Sequence, residues 1–194
     1  MTIGFVPVNS YGSSANSGAT MRVYVPATDS TAIYLYDLVT IAGNADSAEG
    51  VMTVQQSAAT DTQILGSVVG FDQVDGIATG SINLGLNYRP ASTAMYLIVN
   101  VDPHTIYKTT VNATCLTTYV GNNMNMTVGS GDTTTGVSGM ALDVSSHTTS
   151  AGDLRLLGFL NDPNLNKSSA TQVPSGTIAL VQINDHAFKT TSGV

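Results

Sequence analysis

The sequence predicts an all-β fold: a small N-terminal β-barrel or clip-like module followed by a larger β-sandwich or jelly-roll-like module. Three observations carry that prediction. Apolar residues come in short runs of roughly 4 to 8 residues, bounded by Gly, Pro, Asn and Asp. No stretch sustains the 3.6-residue period of an amphipathic helix. Hydrophobic residues make up 42% of the chain and charged residues 10%, and Thr, Ser, Gly and Asn dominate the rest. That mixture favours strands and tight turns over helices, and it is too apolar for disorder.

Residues 1–20 begin with Met1-Thr2-Ile3-Gly4-Phe5-Val6-Pro7-Val8 and continue through the Ser/Gly/Asn-rich tract Asn9 to Gly18. Such a tract has little to bury and much backbone freedom. It predicts an arm whose Phe5, Val6, Val8 and Tyr11 seek a partner surface. The first module, residues 21–76, holds strands at Met21 to Val25, Ala32 to Ile41, Val51 to Gln55 and Ile64 to Phe71. Pro26-Ala27-Thr28-Asp29, Gly43-Asn44-Ala45-Asp46 and Glu49-Gly50 supply the turns. A unit this small is marginal alone and is expected to lean on a neighbour. The apolar pattern lapses from Asp72 to Asn87, which places the module boundary there.

The second module, residues 77–194, opens on the clearest strand of the chain. Pro90 fixes its own φ and biases Arg89 away from the helical region, so the chain runs extended into Met95 to Val99. That run has no interior charge, as a strand buried on both faces requires, and Asp102-Pro103 stops it. Further strands are expected at Thr105 to Thr110, Leu116 to Val120, Met140 to Val144, Leu154 to Leu160 and Thr177 to Asn184. In the last of these Ile178, Leu180 and Gln182 face one way and Ala179, Val181 and Ile183 the other, which suits a sandwich interior.

Charge and cysteine content narrow the partners. Thirteen acids against 6 bases leave a net charge of −7, which repels a phosphate backbone, and no segment gathers the bases into a patch. Direct nucleic-acid binding is not expected. Cys115 is the single cysteine, so no intrachain disulfide forms and no multi-cysteine zinc site is available. No apolar run approaches the ~20 residues that span a bilayer, and the first residues lack the basic and apolar regions of a secretory signal. Synthesis in a cytoplasm is the expectation.

No motif supports catalysis or a cofactor. His104, His147 and His186 stand far apart, outside any known ligand spacing. Asp72-Gln73-Val74-Asp75-Gly76 lacks the remaining ligands of a calcium loop and reads as a linker turn. Gly129 to Gly136 is glycine-rich but has no Lys to reach a phosphate and no helix behind it. Gly136-Val137-Ser138-Gly139 misses the nucleophile-elbow spacing by one residue. Cys115 lies at the start of a strand, where a lone cysteine behaves as a small hydrophobe. The Asn112, Asn125 and Asn166 sequons carry no meaning without a secretory route. Met124 and Met126, set among amides, are either loop-packed residues or an adaptable contact surface.

Several of these segments together resemble a known family. They are Val25-Pro26-Ala27-Thr28-Asp29-Ser30-Thr31-Ala32, Val39 to Gly43, Val68-Val69-Gly70-Phe71, the Tyr88 to Pro103 run, Gly131 to Met140, Leu154-Arg155-Leu156-Leu157, Asn161-Asp162-Pro163-Asn164 and Ile178 to Asn184. In these the chain is similar to the head decoration, or cement, proteins of tailed bacteriophages. The resemblance implies a non-enzymatic virion protein on the outer capsid surface that bridges neighbouring major capsid protein subunits against internal DNA pressure. It also implies self-association, as a homotrimer or a dimer, with Phe5, Val6, Val8, Tyr11, Met124 and Met126 as candidate contacts. The competing expectation is a carbohydrate-adhering head or tail appendage. The chain's 8 tyrosines would supply ring platforms for it, although Trp is absent.

Overall fold

The computed structural model describes residues 2–10, 19–59, 61–74, 83–160 and 171–189. The first strands are β1 (Val6–Ser10), β2 (Thr20–Val25), β3 (Ile33–Tyr34), β4 (Leu38–Ala45), β5 (Met52–Gln56), β6 (Ile64–Val74), β7 (Tyr88–Arg89) and β8 (Met95–Asn100). They are followed by β9 (Thr105–Thr110), β10 (Cys115–Leu116), β11 (Asn123–Thr127), β12 (Ala141–Thr148), β13 (Leu154–Phe159), β14 (Gln172–Val173) and β15 (Ile178–Ile183). Two short 3-10 turns, Thr117–Tyr119 and Ala187–Lys189, are the helical elements among the described residues. The fold is all-β, as its composition predicts.

Five strands close a barrel in the order β2-β5-β4-β6-β8. Four of its pairings are antiparallel, and β2 meets β5 in parallel at Tyr24 and Thr53. An odd number of alternating strands cannot close without one such like-directed pair. Alternate residues point inward: Val23 and Val25, Val39, Val54, Leu65, Val68 and Phe71, and Met95, Leu97 and Val99 form the barrel core. Strand β8 is buried along its whole length, as its sequence predicts.

The second body is a six-stranded sheet in the order β1-β9-β15-β13-β11-β12, antiparallel throughout. It curls on itself. Beyond β9, Val111 bridges Leu142 of β12; the Asn112 amide donates to the Leu142 carbonyl at 3.0 Å, and the Asn112 side-chain oxygen accepts from the Val144 amide at 3.1 Å. Its inward face carries Tyr107, Met124, Met126, Leu142, Val144, Leu154, Leu156, Ala179, Val181 and Ile183.

Several sequence expectations change at this point, among them the strand expected from Leu116 to Val120, which is the two-residue β10 followed by a 3-10 turn at Thr117–Tyr119. The lapse from Asp72 to Asn87 does not divide the chain, because β8, which follows it, pairs with both β2 and β6 and closes the barrel. The lapse is a connection between two neighbouring barrel strands, and the passage from barrel to sheet falls at Asp102-Pro103 instead. Residue 77 itself, where the second module was expected to begin, lies outside the described residues.

The second body also differs from a two-sheet sandwich. Among the described residues no second large sheet faces the first, and Ile178, Leu180 and Gln182 stay half-buried on its outer side. A curled sheet needs only one solidly apolar face, and Ala179, Val181 and Ile183 supply it. Finally, residues 6–10 are not a free arm, because β1 pairs with β9 of the same chain. Gly4 has φ +66, and a Cβ there would lie 2.6 Å from the Ser138 side chain. That turn, which favours glycine, sends Phe5 into the core with no solvent exposure.

Barrel and sheet share that core. Leu38 and Ile64, from barrel strands, pack in the same cluster as Phe5, Tyr107, Met140 and Val181. The Phe5 amide donates to the Tyr36 carbonyl at 2.9 Å, and the Ile64 amide to the Asp185 carbonyl at 2.9 Å. Thr105 and Tyr107 of β9 both donate to the Asn100 side-chain oxygen at the end of β8, at 2.9 and 3.3 Å.

Candidate interface and the barrel–sheet seam

The expected contact residues divide. Phe5, Met124 and Met126 are wholly buried in the chain's own core, so none can meet a partner without unfolding. The reason for the two methionines is periodicity: Asn123-Met124-Asn125-Met126-Thr127 alternates strictly, which turns both methionines to one face of β11 and both asparagines to the other. That alternation was the available signal, and it outweighs the adaptability of methionine. Val6 and Val8 remain half-buried on β1. Tyr11 lies outside the described residues, as do Asp75, Gly76, Asn161 to Asn164 and Asn166.

Strand β1 ends one edge of the six-stranded sheet, and that edge is poor for pairing. Pro7 removes a backbone donor, and the register shifts between Pro7 and Asn9. Contact is therefore left to side chains. Among the described residues the most exposed large apolar side chain is that of Leu84, at 95%. It rims a groove of about 240 Å³ that is also lined by Leu35, Val69, Phe71 and Leu86. Val120, Val128, Leu160 and Phe188 are the other exposed large apolar side chains among the described residues.

The glycine-rich loop is fastened over the barrel. A Cβ on Gly131 would lie 2.3 Å from the Tyr34 ring, so only glycine permits this approach. Tyr34 also stacks on Tyr88 with ring centroids 5.3 Å apart and planes 9° apart. Asp132 shapes the loop by accepting from the Thr134 amide at 2.8 Å, and the loop's hydrogen bonds hold its carboxyl below the ordinary range.

The three histidines do not converge on one site. His147 is exposed and stacks on Tyr119 at 3.9 Å, while the His104 amide caps on the Asp102 carboxylate at 2.9 Å. His186 is wholly buried and accepts from the Phe188 amide at 3.1 Å; burial first, then Lys189 nearby, push it down to about 4. Among the described residues no group of three or more His, Cys, Asp or Glu is arranged to hold a metal ion. Cys115 is buried, which pushes its thiol up to about 11 and leaves it a poor nucleophile at neutral pH.

The buried charges are what sequence reasoning missed. Arg89 is fully buried, and its guanidinium donates to four backbone carbonyls, those of Thr93, Thr31, Pro26 and Asp29. Asp37 is fully buried too and accepts from the Tyr34 amide and the Gln56 side chain, both at 2.8 Å. Burial pushes its carboxyl up to about 6, against the lowering effect of those bonds and of Ser138. Asp153 is likewise pushed up to about 6, by burial and then by the facing carboxylates of Asp185 and Asp61. The signal in the sequence was an acid inside an apolar run, Leu35-Tyr36-Asp37-Leu38-Val39.

Compared with known protein families, curated proteins and solved structures, the chain finds no match.

Proposed function

We propose that this chain is a non-enzymatic virion structural protein that decorates the outer surface of a capsid and cements neighbouring major capsid protein subunits. The segments quoted above that resemble tailed-phage decoration proteins are the starting point. The observation that carries the reading is the shared core: a closed barrel and a curled sheet pack together through Phe5, Leu38, Ile64 and Met140, which stiffens the junction between them. A brace between subunits needs that stiffness. Contact falls to exposed surface, with Val6, Val8 and the Leu84 rim as the apolar candidates, and repetition over many copies sums modest patches into firm attachment. Association with further copies of the chain, as a trimer or a dimer, belongs to this reading.

The carbohydrate-adhering alternative draws less support. Tyr34 is covered by Gly131 and Tyr88, and Tyr96 and Tyr107 are buried, so these rings offer no open face to a sugar.

Shells assembled without the protein provide the test. Added back, it should bind at a copy number near that of the capsid protomers and raise the temperature at which packaged DNA is released. Equal release temperatures, or a handful of copies per particle, would defeat the cement reading.

A further inference from the structure

We propose that the seam between the barrel and the curled sheet is a proton-operated latch, tight when Asp37 and Asp153 are neutral and loosened when both are ionised. The two residues occupy different parts of one junction. Asp37 lies between β3 and β4 on the barrel side and faces Ser138, whose amide donates to the Leu35 carbonyl at 3.0 Å and so holds the 137–140 segment against the barrel. One Asp37 oxygen is bonded as described, while the other, Oδ1, is buried with no hydrogen-bond partner. The titratable neighbour there is the Tyr34 phenol.

Asp153 opens β13 on the sheet side. Its carbonyl accepts from the Asn184 amide at 2.8 Å, next to Asp185, whose own carbonyl accepts from the Ile64 amide of the barrel. Asp61, on the barrel loop before β6, completes the set of facing acids. Asp153 Oδ2 is buried without a partner. Beside this junction His186 bridges Ile64, with Lys189, Asp102 and His104 as its charged neighbours and Nε2 buried without a partner. Each carboxylate, when ionised, has lost its water and keeps one buried oxygen without a donor, an imbalance that at Asp37 outweighs the bonds to its other oxygen, so neutralising it favours the closed seam.

The signs oppose one another within one pH window. Asp37 and Asp153 are raised to about 6, so the stability they confer is complete below about pH 4 and is lost as pH rises through 6. His186 is lowered to about 4, so its contribution is present above about pH 6.5 and is lost as pH falls through 4. Two acids against one histidine leave the folded chain holding about one extra proton between pH 4.5 and 6. Asp132 and Asp143, held low by hydrogen bonds, titrate below that window.

Urea unfolding of the full chain across pH 4 to 8 tests this without any capsid, and so independently of the cement reading. The unfolding constant should rise about tenfold per pH unit between 4.5 and 6 and level off above about 6.5. Asp153→Asn should flatten the slope, and adding Asp37→Asn should reverse it. Carbon NMR of the unmodified chain should place both carboxyl titrations near 6, a readout that survives if either variant fails to fold. A flat profile, a slope untouched by Asp153→Asn, or carboxyls titrating near their ordinary ~4 would each overturn the latch.

Discussion

Replacing Arg89 with Met should lower the unfolding free energy by about 4 kcal/mol, enough to drop the melting temperature by roughly 10 °C in a chain of this size. The side chain is buried and its fork gathers the carbonyls of Pro26, Asp29, Thr31 and Thr93 around one cation, with the Asp29 carboxylate 3.8 Å away. Methionine fills the volume but removes the guanidinium from all four carbonyls and the cation from beside Asp29 Oδ2, although the Pro26 and Asp29 carbonyls and Asp29 Oδ1 keep the Asp29, Ser92 and Thr31 amides as donors. Arg22 is the natural control, since its ion pair with Glu49 is shorter, at 2.9 Å. Both of its partners are about a third exposed, however, so Arg22→Ala should cost about 1 kcal/mol or less. Paired urea titrations decide the matter: equal losses at the two positions would show that burial of Arg89 adds nothing.

Phe5→Ala should cost about 4 kcal/mol, and removing residues 2–10 should abolish the folded state. Phe5 lies in the core shared by barrel and sheet, and β1 covers the edge of β9 from Thr105 to Lys108. A free arm would predict the opposite, a deletion that leaves the remainder intact. Circular dichroism and a thermal melt of the truncated chain distinguish the two, and a cooperative transition within a few degrees of the full chain would restore the arm.

These two positions also show what the sequence displays and what it hides. Met95 to Val99 is legible because a run without charge or turn residue is buried whichever way it faces. The β11 and β15 faces are legible from alternation, although at β11 the methionines suit a contact surface as well as a core. Strand β1 is hidden: Pro7 argues against a strand, and the β9 partner that overrides it is distant in the chain. The passage from barrel to sheet is hidden for a related reason, since strands adjacent in the barrel need not be adjacent in sequence, and a polar connection looks like a linker. Arg89 reads in the sequence only as an extended residue set by Pro90. Nothing local reveals that the Pro26 to Thr31 turn will wrap its carbonyls around that side chain.

The distance between β1 and β9 has a consequence for how the protein is made. Val6 pairs with Lys108, so the second strand of this pair is synthesised roughly 100 residues after the first. At a translation rate of roughly 5 to 20 residues per second, Phe5 and its neighbours wait about 5 to 20 s outside the ribosome before their partner exists. An unpaired apolar strand exposed for that long is a seed for aggregation, and Pro7 makes it a poor one. The barrel imposes the same wait on β2, which meets β8 only after Met95 has been added. Folding of this chain is therefore set by its long-range pairings: nascent chains halted before residue 95 should hold no closed barrel, and those halted before residue 105 should leave β1 open to proteolysis.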